Sequence, residues 1–245
     1  MEKNTPVIAI TNLHKAFGDN EVLNGVNITV SKGEDVVILG RSGTGKSVTI
    51  KCLVGLEKAD EGEIKVFGTD ITKVNDRELN EIRTRIGFMF QNGALYDSMS
   101  VRQNLTFTLK HHEKDITKED IETRITEALD NVGLLEAIDK MPSELSGGMR
   151  KRIGMARTLI IKPEIILYDE PTSGLDTITA REISELMISV QKKYKTTSLV
   201  ITHDMACAKL TGNRIMILKD GVINAEGTYA ELEKSKDPWV KSFFV

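Results

Sequence analysis

The chain has 245 residues, 40% of them apolar and 28% charged, with a formal net charge of −3. That balance is an ordinary globular one; it excludes a disordered or fibrous chain and argues against nucleic-acid binding through bulk electrostatics. No apolar run approaches the roughly 18 residues of a membrane helix, and the opening Met1–Pro6 lacks the apolar core of a signal peptide. Cys52 and Cys207 stand far apart in no metal spacing; Cys52 reads as a buried core thiol, and the chain as reduced and cytosolic.

Val7–Leu13 reads as a strand and Val26–Val30 as a second, with a turn at Gly18-Asp19-Asn20 between them and Phe17 just before it. Val36–Leu39 is a short apolar, β-branched run, the mark of a buried strand. It leads into Gly40-Arg41-Ser42-Gly43-Thr44-Gly45-Lys46-Ser47, where the helical spacing of Val48, Ile50, Leu53 and Val54 begins. A strand before and a helix after make G-x-x-x-x-G-K-[ST] a phosphate loop. Gly40, Gly43 and Gly45 let the backbone bend close to an anion, and successive amides at a helix start point at it. Lys46 adds a point charge for the β- and γ-phosphates, and the Ser47 hydroxyl is a hard-oxygen ligand for Mg²⁺. The expected ligand is a nucleoside triphosphate.

Gly62–Phe67 is a further strand, Asp76–Arg85 a charged surface helix, and Ile86–Gln91 a strand ending on a polar residue. Strand C-termini are where open α/β sheets place their ligand chemistry. Asn92–Val101 follows as a loop whose Ala94, Leu95, Tyr96 and Met99 form an exposed patch suited to a protein contact. Arg102–Ile138 is helical, interrupted by the mixed-charge run Lys110–Asp120. Its His111 and His112 are neighbours and cannot share a helix face as paired metal ligands. Pro142 breaks the helix, and Ser146 is an N-cap candidate before Gly147-Gly148, a second anion-binding geometry. Ile165–Glu170 is a buried strand ending on two carboxylates; Ile183–Tyr194 is a helix and Ser198–His203 a strand. Ile215–Leu218 is another strand, Gly221–Gly227 a hairpin, and Tyr229–Val245 a helical tail broken at Pro238. Beside a phosphate loop, Asp169 can hold Mg²⁺ through water and Glu170 can take a proton from an attacking water. His203, ending the next strand, can contact the γ-phosphate.

With Ser146-Gly147-Gly148 in place, the motif order resembles an ATP-binding-cassette (ABC) ATPase along nearly the whole chain. The elements that carry the likeness are the loop Gly40–Ser47, Gln91, Leu145–Arg152, the acidic strand Ile165–Glu170, Ser173–Asp176 and His203. The resemblance implies an α/β fold in one domain, 1–245: an ABC-type P-loop NTPase core with an antiparallel β subdomain and a helical subdomain over about residues 92–162. It also implies roles. Phe17 stacks on adenine, and Gly40, Arg41, Ser42, Gly43, Thr44, Gly45, Lys46, Ser47 and Val48 hold the nucleotide of ATP. Ser47, Gln91 and Asp169 surround Mg²⁺. Glu170 polarises the water, with Gln91 and His203 completing the catalytic set. Ser146, Gly147 and Gly148 close on the nucleotide of a second copy, with Asp176 linking the two sites. The implied assembly is a homodimer on integral membrane permease subunits, with no nucleic acid.

Finer wording is similar to the ATPase of Mla-type phospholipid transporters, which work with MCE-type lipid-binding proteins and maintain lipid asymmetry. It lies in Gly40–Val48, Phe90–Met99, Ser146–Arg152, Tyr168–Asp176 and Asp237–Phe244, and in Met149, where many importer cassettes carry glutamine. That likeness implies phospholipid cargo and a peripheral place on the cytoplasmic face of the inner membrane. The alternative is the ATPase of a polar amino-acid importer, which has nearly the same length. ABC proteins acting on ribosomes or DNA carry paired cassettes or coiled-coil arms, and neither is visible here. Intact Glu170 and His203 speak against a nucleotide sensor without turnover.

Overall fold

The computed structural model describes residues 6–244, so the reading of Met1–Thr5 and the end of the tail at Val245 fall outside the described residues. β1 (Pro6–Phe17) and β2 (Asn20–Ser31) pair antiparallel across the Gly18 turn. β4 (Glu61–Val66) and β5 (Thr69–Asp70) extend this sheet in the order β2-β1-β4-β5. β1 and β2 outrun the apolar segments read from sequence because their polar outer residues continue the ladder. β5, two residues long, carries no periodicity to read.

The second sheet has six strands in the order β10-β9-β3-β8-β7-β6. β3 (Asp35–Leu39), β6 (Ile86–Met89), β7 (Ile165–Asp169), β8 (Thr197–Thr202) and β9 (Arg214–Lys219) run parallel. β10 (Val222–Gly227) closes the edge antiparallel to β9. β3 is buried throughout, and its alternate residues enter two cores. Val36 and Ile38 pack with Ile8, Ile10 and Ile28 of the antiparallel sheet, whereas Val37 and Leu39 pack with Leu105 and Ile153 on the helical side. Burial on both faces is why such a strand reads as an unbroken apolar run.

α1 (Lys46–Leu53) leaves the phosphate loop, and α2 (Asp76–Arg83) starts on a capping box of Asn75 and Glu78. Between β6 and β7 stand α3 (Val101–His112), α4 (Lys118–Asn131) and α5 (Gly147–Leu159), whose buried faces join the helical core. α6 (Thr177–Tyr194) begins at Thr177 rather than Ile183, because Asp176 caps it by accepting from the Ile178 and Thr179 amides. α7 (Met205–Thr211) had no long apolar stripe to announce it. α8 (Tyr229–Glu233) and α9 (Pro238–Lys241) form the tail. Pro238 opens α9 rather than breaking a helix; its fixed φ suits the first helical position, and Asp237 accepts from the Trp239 amide at 2.8 Å.

Two further polar groups, one partly buried and one buried, shape the frame. Arg214 on β9 donates to both carboxylate oxygens of Glu34 (2.7 and 3.1 Å), to Glu226 on β10 and to the Thr29 carbonyl on β2, so one guanidinium joins the two sheets. Asp35, buried at the start of β3, accepts from the Ser198 hydroxyl, and burial pushes its carboxyl up to about 6. Among the described residues no helix is long and apolar enough to cross a membrane.

Candidate functional site

β3, β8 and β7 are neighbours in the sheet, so the loops leaving their C-terminal ends converge. The Gly40 amide donates to the Thr202 carbonyl at 3.3 Å, and the Thr44 hydroxyl to the Arg41 carbonyl at 2.9 Å. Gly45 has φ +98° and no room for a side chain, since a Cβ there would lie 2.8 Å from the Val22 carbonyl oxygen. It hands the chain to α1, whose first amides have no intrahelical partner and face outward from the helix end. Ser42 is exposed, and Val48 packs on the core shared with the antiparallel sheet. Lys46 is buried; its Nζ donates to the Gly40 and Arg41 carbonyls (2.8 and 3.0 Å) and lies 3.5 Å from Glu170 Oε1.

Ser47 Oγ donates to Asp169 Oδ1 at 2.8 Å. Burial pushes the Asp169 carboxyl above the ordinary range, opposed by this bond from Ser47. A cation beside them would offset the cost of burying that charge. Mg²⁺ takes one or two protein oxygens and completes its shell with water and phosphate, so this donor pair fits it. Glu170 is a non-glycine residue at φ +49°, a conformation that costs about 1–3 kcal/mol and persists only where its surroundings hold it. Here its amide donates to the Ile201 carbonyl at 2.8 Å, and its own carbonyl accepts from Lys151 Nζ at 2.9 Å and Ser173 Oγ at 3.0 Å. Its carboxylate meets Lys46 on one oxygen; on the other it meets His203, with Nδ1 at 2.8 Å and the amide at 3.3 Å. With Nδ1 engaged, Nε2 is the ring nitrogen of half-exposed His203 left for a ligand. A carboxylate positioned this way can accept a proton from water, beside a cation and amides able to hold phosphate.

Gly40, Arg41, Thr44, Lys46, Ser47, Asp169, Glu170 and His203 are thus brought together, and Phe17, Ser146, Gly147, Gly148 and Asp176 lie outside this bonded cluster. Phe17 ends β1, 47% exposed, with the Lys15 ammonium 5.1 Å from its ring centroid. Gln91 lies two residues beyond β6 and not within it; it is exposed, and the contact it makes is through its carbonyl, to Lys151. Ser146 does cap α5, accepting from the Met149 amide at 3.3 Å. Gly147 and Gly148 face α6 and the turn before it: added Cβ atoms would stand 3.4 Å from Leu175 and 2.6 Å from Thr179. The Asp176 carboxylate is occupied as the α6 cap, and its bond from the Thr179 hydroxyl holds it below the ordinary carboxylate range.

The loop after Gln91 is less uniformly exposed than its sequence implies. Tyr96 and Phe107 of α3 are exposed and meet edge-on at 5.1 Å, whereas Leu95 and Met99 are partly buried, Leu95 against the helical core. Asn104 of α3 is fully buried and binds that loop four times: it accepts from the Tyr96 amide and donates to the carbonyls of Tyr96, Met99 and Ser100. Lys151 and Asn104 were not read as site-shaping residues. Their one signal is a polar side chain among the buried positions of an amphipathic helix, Lys151 standing one turn before buried Met155.

A model of the ABC transporter family matches residues 23–173. The chain is 40% identical over 236 residues to a probable ribonucleotide transport ATP-binding protein, mkl, of Mycobacterium tuberculosis, covering 96% of this chain and 66% of that protein. It is 39% identical over 221 residues to the methionine import ATP-binding protein MetN of Rhizobium johnstonii, covering 90% of this chain and 60% of that protein. It therefore spans about two thirds or less of these relatives' own length. A solved dimeric ATP-binding cassette in a post-hydrolysis state with ADP and Pi superposes with TM-score 0.81 at 32% identity, covering 90% of this chain and 98% of that one. The cassette cbiO1 of Clostridium perfringens, part of a cbiONQ transporter complex, superposes with TM-score 0.85 at 28% identity, covering 98% and 95%.

Proposed function

This chain belongs to the ABC transporter family, and from that premise we propose that it hydrolyses Mg-ATP as one copy of a homodimer that powers phospholipid transport. The observation that carries hydrolysis is the contact chain Lys46–Glu170–His203 lying beside the Ser47–Asp169 pair. The loop amides and Lys46 bind the phosphates. Glu170, held from both sides, takes the proton from the attacking water; His203 orients that carboxylate by donating from Nδ1 and, as the imidazolium, donates from Nε2 to the γ-phosphate. Mg²⁺, when bound, would neutralise charge on the phosphate oxygens; Ser47 and Gln91 would hold it directly and Asp169 through water. Phe17 stacks on adenine.

Ser146, Gly147 and Gly148 use none of their own chain's cluster, which supports their closing on the nucleotide of the second copy, with Asp176 at the junction. Residues 92–162 act as the inserted helical subdomain, and the Tyr96–Phe107 pair as the contact for permease subunits on the cytoplasmic face of the inner membrane. Cargo rests on the wording at Phe90–Met99 and Met149, which supports a phospholipid and an MCE-type partner. Likeness to MetN supports a second reading, amino-acid import. The native complex in liposomes decides: it should move labelled phospholipid with ATP, and Glu170→Gln should abolish the movement. A complex whose ATPase answers instead to a periplasmic amino-acid receptor overturns the lipid reading.

A further inference from the structure

Lys151 is a buried ammonium with no carboxylate of the described residues within ion-pairing distance. Its three N–H donors meet three neutral acceptors: the Gln91 carbonyl, the Glu170 carbonyl at 2.9 Å and the Ser173 hydroxyl at 3.4 Å. Burial lowers its pKa to about 8. Burying a cation on neutral acceptors is costly, and an apolar residue of the same length would fill the space without that cost. The acceptors belong to two segments, the Gln91 loop and the Glu170–Ser173 turn, each leading to a different part of the site.

On its own side, α5 is bound to the Gln91 loop by more than this lysine. Gly154 of α5 touches Gly93 so closely that a Cβ on Gly154 would stand 2.9 Å from the Gly93 Cα, and Arg157 donates to the Ala94 carbonyl. The loop at Gln91–Ala94 and α5 therefore form one packed unit. Lys151 leaves that unit and grips the carbonyl of Glu170, the residue with left-handed backbone, and the first residue of the Ser173–Asp176 turn. Through this side chain α5 is bonded directly to the Glu170 carbonyl.

We propose that Lys151 is a positioning residue that ties the helix begun by Ser146 and the Gln91 loop to the backbone of Glu170, so that the aim of the general base follows α5. The proposal rests on Glu170 being that base. Because Ser146 faces a second nucleotide in the proposed dimer, the same lysine couples closure at one site to proton abstraction at the other.

The test compares Lys151→Met, which keeps the stem and removes the donors, with Lys151→Gln, which restores two of them. Steady-state ATPase gives kcat in each full-length variant, and Mg-ATP affinity is measured with Glu170→Gln added so that no turnover intervenes. Lys151→Met should lower kcat about tenfold or more while Kd stays within about threefold, and Lys151→Gln should recover most of the loss. A kcat within about twofold of the parent overturns the proposal. So does a parallel loss of kcat, affinity and thermal stability, or a Gln variant no better than Met. Should Lys151→Met fail to fold, Ser173→Ala with Lys151→Gln replaces it: losses that simply multiply overturn the coupling, and losses that do not multiply support it. A parent whose turnover survives Glu170→Gln alone overturns the hydrolysis reading itself, and that control separates the two failures.

Discussion

The strand-end cluster and the start of α5 are the two halves of the proposed nucleotide site, yet they are built oppositely. Lys46, Ser47, Asp169 and Glu170 are mostly buried, bonded to one another and held by the ends of three adjacent strands. Ser146 and Gly147 are exposed, and Cβ atoms added at Gly147 and Gly148 would meet Leu175 and Thr179 rather than any charged group of the cluster. One half is assembled within the chain; the other presents amides outward. A site of the second kind acts on a ligand that arrives on another body, which is the physical content of the proposed dimer.

The sharpest way to break this contrast is to disable the assembled half. Glu170→Gln keeps the shape and removes the base, so ATPase turnover should fall by about 10² to 10⁴-fold while Mg-ATP still binds and gel filtration shows a dimer. Unchanged turnover ends the assignment. The outward half is tested by mixing chains: Lys46→Ala and Ser146→Arg together put both lesions at one composite site and leave the other whole. The mixture should hydrolyse ATP where neither parent does, and silence in verified heterodimers would count against the trans arrangement. A smaller effect separates both halves from the proposed permease surface. Tyr96→Asp should leave Mg-ATP affinity unchanged and weaken permease binding by about 2 kcal/mol, roughly 30-fold, as measured by co-purification and surface binding. Normal assembly would remove Tyr96 from that surface.

Asp35 sharpens the comparison most gently, because it is a buried carboxylate on the same sheet as Asp169 but at the opposite strand end. Burial raises it to about 6 from the ordinary 3.8, so the folded chain retains a proton that the unfolded chain has released. Stability is therefore lost as pH rises from about 4 through about 6. Asp35→Asn should be the more stable at pH 7–8 by about 1–2 kcal/mol, with the gap closing below pH 4. Unfolding midpoints that track the parent at every pH would show that Asp35 has no such cost.

Contiguous segments announced themselves in sequence, and long-range contacts did not. The phosphate loop is legible because its residue types, spacing and flanking strand and helix lie within one short stretch. The ends at Asp169, Glu170 and His203 were readable because buried parallel strands are apolar throughout and stop at a polar residue. Glu170 and His203, however, lie just past their strands, and the positive φ of Glu170 has no sequence mark. Leu95 looked exposed because its loop is polar, yet Asn104, nine residues on, folds that loop so that Leu95 turns inward. Lys151 was unreadable as a connector because its partners at Gln91, Glu170 and Ser173 are mostly backbone atoms far away in the chain.

Arg214 has a consequence for ligand choice. By joining β2, β9, β10 and Glu34 it holds the antiparallel sheet, whose rim carries Phe17, at a set offset from the sheet whose rim carries Lys46. The offset is a gauge length belonging to the scaffold rather than to the ligand. On the proposed reading, with Phe17 on the base and Lys46 on the phosphates, a free triphosphate or a nucleoside would engage one jaw of the gauge alone, and a nucleoside triphosphate would engage both.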